Sequence, residues 1–161
     1  MNGKRSIKTP RTSLNSPLSD EAMTQVVKHN PLRVLHVDDD LNQLLFTKIF
    51  LEECDPEISV ESVSLPSEVV QALLSGKYDC IVSDYQMEEM DGVTLTQRVR
   101  EKSDVPIIIY TGRGSKEVEE VARAAGVDGY VQKEADPTHY KSLYVQILGA
   151  VHEKINGIIN K

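Results

Sequence analysis

The chain has 161 residues, 40% hydrophobic and 5% aromatic, with a formal net charge of −7, an ordinary globular composition with a modest aromatic core. That length fits one domain with a short extension, the acidic balance disfavours a general nucleic-acid binder, and no apolar run is long enough to span a bilayer. The basic N-terminus lacks the apolar core of a signal peptide. Cys54 and Cys80 form neither a disulfide framework nor a metal-ligand cluster, and read as reduced, mostly buried thiols of a cytoplasmic protein.

The chain divides near residue 31. Lys4, Arg5, Lys8, Arg11 and Lys28 against Asp20 and Glu21 leave residues 1–30 basic and the remainder more acidic than the whole. Residues 1–18, rich in Ser, Thr, Pro and Asn, cannot bury a core, so a flexible extension is expected. A short helix over residues 20–29, capped by Ser19-Asp20-Glu21, carries Met23, Val26 and Val27 and is limited by Pro31.

From Leu32 onward strands and helices alternate. "LRVLHV" is a Val-rich strand, and "LNQLLFTKIFLEEC" places Leu41, Leu44, Leu45 and Ile49 at helical spacing. "EISVESVS" alternates, with Ile58, Val60 and Ser62 on one face. Ser67 is expected to cap the helix "SEVVQALLSG", with Gly76 just past its end. "YDCIVSDY" is a third strand, and "GVTLTQRVREK" a helix with Leu95 and Val99 inward, started by Asp91-Gly92. "VPIIIYT" is a fully apolar fourth strand. "SKEVEEVARAAG" aligns Val118, Val121, Ala122 and Ala125 on one stripe, ended by Gly126. "GYVQK" is a fifth strand, and the last helix begins near Pro137 with Tyr140, Leu143, Tyr144, Ile147, Leu148, Val151 and Ile155 as its apolar face.

Five βα units with nearly continuous apolar strands imply a parallel sheet covered on both faces. In such sheets ligands gather at the carboxyl ends of the strands. The first strand ends in Asp38-Asp39-Asp40, the third in Asp84, the fourth in Thr111-Gly112 and the fifth in Lys133. Taken singly these are ordinary: Asp40 reads as a helix cap, a strand-end Thr as a turn residue, a lone Lys as solvated. Together they solve one problem, because clustered carboxylates stay ionised only beside a cation. A hard divalent ion with oxygen ligands, Mg²⁺, meets that need. A metal ion, a lysine and a hydroxyl facing one free carboxylate make a site for a phosphoryl group, with Asp84 as the nucleophile that forms an aspartyl phosphate.

In order, spacing and strand context, "VLHVDDD", "DCIVSDYQMEEMDG", "IIIYTG" and "GYVQK" resemble the receiver domain of two-component response regulators. The resemblance spans residues 31–161, and "YTGRGSKEVEEVARAAGVDGYVQK" is most similar to archaeal receivers. It implies an α/β flavodoxin-like, doubly wound (βα)5 fold with strand order 2-1-3-4-5. It implies that Asp84 is the phosphoacceptor, that Asp38, Asp39 and the backbone carbonyl of Gln86 hold Mg²⁺ with it, that Thr111 and Lys133 engage the phosphoryl oxygens, and that Tyr130 is the aromatic switch. It further implies a sensor histidine kinase or phosphotransfer protein as donor, a phosphoacceptor rather than a turnover enzyme, and readout by a downstream protein or a homodimer through the face of helix four, strand five and helix five. Nothing after the last helix has the length of an output module, so output through protein contacts or onward relay is expected, with no nucleic acid and no membrane.

The chain departs from the family at several points: Glu88 follows Met87 where Pro is common, Glu134 follows Lys133 where a proline is common, and Gly112 replaces a small alanine, while Gln86 and Arg113 occupy two variable positions beside the site. His36 reads as a packed core histidine, and His29, His139 and His152 form no constellation. Two other readings have a basis in the residues. A haloacid dehalogenase-like phosphohydrolase would use the Asp-x-Asp spacing of Asp38 and Asp40 but leaves Asp84 unexplained. A phosphate-independent receiver-like binding module leaves the full residue set unexplained.

Overall fold

Five strands alternate with five helices in the computed structural model, which describes residues 31–160. They are β1 (Leu32–Val37), α1 (Leu41–Cys54), β2 (Ile58–Val63), α2 (Pro66–Leu73), β3 (Cys80–Ser83), α3 (Gly92–Arg100), β4 (Ile107–Thr111), α4 (Lys116–Ala124), β5 (Gly129–Gln132) and α5 (Thr138–Ile159). The extension expected over residues 1–30, with its helix over 20–29, lies outside the described residues. All strand pairs are parallel and the order is β2-β1-β3-β4-β5, the flavodoxin-like arrangement. No described helix is long and apolar enough to cross a membrane.

The period-two alternation of the strands sorts side chains into two layers. Val34, Cys80, Val82, Ile108 and Tyr110 face α1 and α5, where they meet Leu51, Leu143 and Ile147. Leu35, Val37, Ile81 and Ile107 face α2 and α3, where they meet Val69, Leu95 and Val99. Ile109 packs with Ala122 of α4 and Val127. The apolar strands are thus buried on both faces, as continuous hydrophobic runs require. At the amino pole of β4, Arg100 donates to the carbonyls of Ser103, Val105 and Gly126 and pairs with Asp128 at 2.7 Å, tying α3 to the loops that flank β4.

Several expectations are corrected. In α1 the buried residues are Leu44, Thr47 and Leu51, while Leu41, Leu45 and Ile49 are exposed. The helix is apolar around most of its circumference, so periodicity admitted two phases. The side chosen is the one where Lys48 reaches the Val60 carbonyl at 2.6 Å and Glu52 accepts the Val60 amide at 2.9 Å. Ser62 is exposed, as are Val121 on α4 and Leu148 and Ile155 on α5. Ser67 does not cap α2: the helix starts one residue earlier at Pro66, and the Glu89 carboxylate accepts the Ser67 amide at 3.1 Å instead. Cys54 is exposed and only Cys80 is buried.

His36 is fully buried, as a core histidine, and both ring nitrogens lack a partner among the described residues. Burial, helped by the nearby Lys133 charge, lowers its pKa from 6.5 to about 3. The folded protein therefore holds this ring neutral, while the unfolded chain binds a proton between those two values. His36's contribution to stability is complete above pH 6.5 and declines as pH falls toward 3.

Two outcomes are expected. Leu51→Ala should cost about 2–5 kcal/mol in urea unfolding at constant m, and Leu45→Ala within about 0.5 kcal/mol; equal losses would reverse the face assignment. The His36 ring-proton NMR shifts should keep neutral-imidazole values down to the onset of acid unfolding, and a titration near the unperturbed value would contradict its burial.

Candidate functional site

The order of the sheet places β1 beside β3, where chain connections leave in opposite directions, and a crevice opens beyond the carboxyl ends of these strands. Asp38 follows β1 directly, its amide bonded to the Val63 carbonyl at 3.3 Å, and Asp84 follows β3, its amide bonded to the Val37 carbonyl at 3.0 Å. Lys133 follows β5 and is tied to β4 by its amide on the Thr111 carbonyl at 2.8 Å. Each side chain is carried on a strand stub that the sheet holds rigid.

A cavity of about 380 Å³ opens there, lined by Asp38, Asp39, Asp40, Gln43, Asp84, Gln86, Thr111, Gly112, Arg113 and Lys133. It brings together every residue expected at the site except Tyr130. One carboxylate oxygen from each of Asp38, Asp39 and Asp84 lies within 4.8 Å of the others. Such a set of hard oxygen donors fits a divalent cation such as Mg²⁺. Asp40 lines the cavity without joining this group and caps α1, accepting the amides of Asn42 at 2.9 Å and Gln43 at 3.3 Å. It therefore does not form a working Asp-x-Asp pair with Asp38.

Asp38 is 1% exposed. Burial raises its pKa, opposed by the Lys133 charge, by the hydrogen bond from Lys133 and by the Asp40 amide, which donates to it at 2.9 Å. The Lys133 ammonium lies 2.6 Å from Asp38 and 3.8 Å from Asp84, so one cation serves both carboxylates. Thr111 is buried, and its hydroxyl oxygen accepts the Arg113 amide at 3.3 Å. Across the mouth, the Arg113 guanidinium donates to the Gln86 side chain at 3.3 Å.

The Asp91-Gly92 pair now has a physical account. Asp91 caps α3 by accepting the Thr94 amide at 2.7 Å. A Cβ at Gly92 would lie 2.6 Å from the Asp84 carbonyl and 2.8 Å from Ile109 Cδ1, so only glycine lets α3 start against the loop that follows Asp84. Met87 and Met90 pack beneath that loop against the α2–α3 core. Among the described residues no peptide bond is cis, so Lys133–Glu134 is trans.

Tyr130 stands outside the cavity, packed against Ile109, Ala122 and Val127 with its hydroxyl buried and unpartnered among the described residues. Burial, followed by the Glu119 and Tyr85 charges, raises its pKa. The ring is turned inward over Gly114, where a Cβ would clash with the tyrosine hydroxyl, lie 3.0 Å from Tyr130 Cζ and touch Thr111 Cγ2 at 3.4 Å. Sequence reasoning missed Gly114, Gln43 and the Tyr110 ring, which lies under Lys133. Strand parity puts Tyr110 and Lys133 on one face once the β4–β5 register is known, but that register is not in the sequence.

Known proteins resemble this chain in sequence and in fold. The response regulator receiver domain family matches residues 34–144. The cyclic di-GMP phosphodiesterase response regulator RpfG of Xanthomonas campestris pv. campestris (strain 8004) is 27% identical over 114 residues, 69% of this chain and 30% of that protein. The transcriptional regulatory protein ResD of Bacillus subtilis (strain 168) is 28% identical over 108 residues, 67% of this chain and 44% of that protein. The chain thus spans less than half the length of these curated relatives. Among solved structures, a two-component response regulator from Clostridium difficile aligns with TM-score 0.66 and 27% identity, over 77% of this chain and 98% of the other. A CheY-like receiver domain protein from Methanospirillum hungatei JF-1 aligns with TM-score 0.67 and 25% identity, over 78% of this chain and 97% of the other. With the family matched over more than half its length, this chain belongs to the response regulator receiver domains of two-component systems.

Proposed function

We propose that Asp84 accepts a phosphoryl group from a phosphohistidine on a sensor kinase or phosphotransfer protein, in the cytoplasm, and that residues 31–161 are sufficient for it. The observation that carries this reading is the convergence of the Asp38, Asp39 and Asp84 carboxylates with the Thr111 hydroxyl and the Lys133 ammonium on one cavity. An Asp84 oxygen bonds phosphorus as the phosphorus–nitrogen bond of the donor breaks, and the imidazole leaves with the electron pair and takes up a proton. Lys133, already between Asp38 and Asp84, pairs with the incoming phosphoryl oxygens, and Thr111 donates its hydroxyl proton to one of them. Asp38, Asp39, Asp84 and the Gln86 carbonyl are the groups that would hold Mg²⁺. That ion would neutralise the carboxylates and the phosphoryl charge when bound. The protein turns over no separate substrate: it catalyses its own phosphorylation and the later hydrolysis, for which Gln86 and Arg113 stand at the mouth.

Two faces are available for partners. Leu41, Leu45, Phe46 and Ile49 form an exposed apolar strip on α1, the helix that Asp40 starts at the cavity, suited to a protein partner that brings the donor histidine to Asp84. On the other side Val121 of α4 and Val145 and Leu148 of α5 are exposed around β5, and we assign readout by a target protein, or by a second copy, to this α4–β5–α5 face. The coupling runs from Thr111 to Tyr130. Pulling Thr111 toward the phosphoryl group favours the inward tyrosine over the exposed one, two rotamers close enough in energy that the unphosphorylated protein samples both. A hundredfold preference needs about 2.7 kcal/mol, within reach of one charge-assisted hydrogen bond and a repacked ring.

Intact mass after incubation with acetyl phosphate and Mg²⁺ should show one acid-labile phosphoryl group, lost in Asp84→Asn and in excess chelator. Asp39→Ala should greatly weaken Mg²⁺ binding, and a chain begun at Pro31 should label at the wild-type rate. Full labelling of Asp84→Asn would end the assignment, and absence of any label on wild type would favour a phosphate-independent module. Thr111→Ala should label but leave Tyr130 uncoupled. Gly114→Ala should expel the inward ring, erasing nuclear Overhauser contacts between Tyr130 and the Ala122 methyl; contacts that survive would show that Tyr130 does not need the space.

A further inference from the structure

The residue before Thr111 is Tyr110, and it is 0% exposed. Strand alternation sends Thr111 and Tyr110 to opposite faces of the sheet. Tyr110 pairs in register with Val131, so it lies on the face from which Lys133, two residues further on, departs. The Lys133 Nζ stands 5.0 Å from the centroid of the Tyr110 ring, inside the distance at which the negative face of an aromatic ring attracts a cation. The Lys133 side chain is only 13% exposed, so solvent screens this attraction weakly.

The ring itself cannot give way. It is surrounded by the rings of His139 at 5.8 Å, His36 at 6.3 Å and Tyr140 at 6.4 Å between centroids, and Phe50 stacks on Tyr140 at 4.3 Å. The Tyr110 hydroxyl lies near Thr47 and Tyr140 without a hydrogen bond of good geometry, away from the rim. The ring, rather than the hydroxyl, is therefore what the site meets. Lysine has a flexible four-carbon stem and a point charge that would otherwise follow whichever carboxylate is nearest. Held by Asp38 alone, the ammonium would be free to sink toward the buried β1 side of the crevice.

We propose that Tyr110 is a positioning residue for Lys133, its ring forming a floor that keeps the ammonium level with Asp84, where a phosphoryl group would arrive. The proposal rests on the phosphoacceptor reading of Asp84, but its first readout does not. Ring current from Tyr110 should shift the Lys133 ε-methylene protons upfield in the full-length protein. The shift should persist in Tyr110→Phe and vanish in Tyr110→Leu. Its absence in wild type overturns the proposal, and if the leucine variant fails to fold, the wild-type and phenylalanine spectra decide.

The second readout uses beryllofluoride as the phosphoryl mimic, with Mg²⁺ affinity measured separately. Tyr110→Leu should weaken beryllofluoride binding about tenfold, about 1.4 kcal/mol, and leave Mg²⁺ affinity unchanged, while Tyr110→Phe stays within about twofold of wild type for both. Wild-type affinity in the leucine variant, an equal loss in the phenylalanine variant, or a parallel fall in Mg²⁺ affinity each overturns it. If wild type binds no beryllofluoride, the phosphoacceptor reading fails, and the Lys133 shifts alone judge the positioning role.

Discussion

The contact on which the site depends joins residues 95 apart in sequence: the Lys133 ammonium on the buried Asp38 carboxylate, at 2.6 Å. A buried ion pair is poor evidence of stability, since desolvation offsets much of the attraction, whereas removing one partner leaves a buried charge uncompensated. Its value here is arrangement. One cation stands among three acidic side chains, close to two of them, and the third side of the cluster is open to the cavity. The carboxylates are under-neutralised by protein groups alone, which is the condition in which a divalent cation or a phosphoryl oxygen finds complementary charge.

That arrangement is a property of the sheet. Asp38, Asp84 and Lys133 each sit one residue past a strand end, and the strands are locked by hydrophobic layers on both faces. Parallel strands in this order bring β1 and β3 together and leave a crevice at their carboxyl ends, so charges that would repel along a continuous chain are held apart by sheet spacing and together by sheet order. Gly92 completes the frame, because the close approach of α3 to the Asp84 carbonyl has no room for a side chain.

The two sides of the sheet divide the labour. On the α1–α5 side the Tyr110 ring lies under Lys133, and the rings of Tyr140 and His139, with Phe50 stacked on Tyr140, pack around it. On the α4 side Gly114 leaves room for the Tyr130 ring next to Thr111, where any side chain would meet both. Close packing makes such groups move between discrete arrangements rather than deform continuously.

The elements and the candidate site residues at the strand ends were legible in the sequence because both are written locally. Apolar runs of strand length, helix caps such as Asp40 and Asp91, and a charged or hydroxyl residue at each strand exit need only their neighbours to be recognised. Phase and company were not. The buried face of α1 is Leu44–Thr47–Leu51 because β2 and α5 lie on that side, and a helix apolar on most of its surface does not announce which side that is. The Ser67 amide is taken by the carboxylate of Glu89, 22 residues away, and Tyr110 came to lie under Lys133 through the β4–β5 register. The sequence by itself determined which side chains stand at the strand ends. The packing of distant segments decided what each of them touches, because contact energies between residues far apart in the chain depend on register and helix phase, which local patterns leave open.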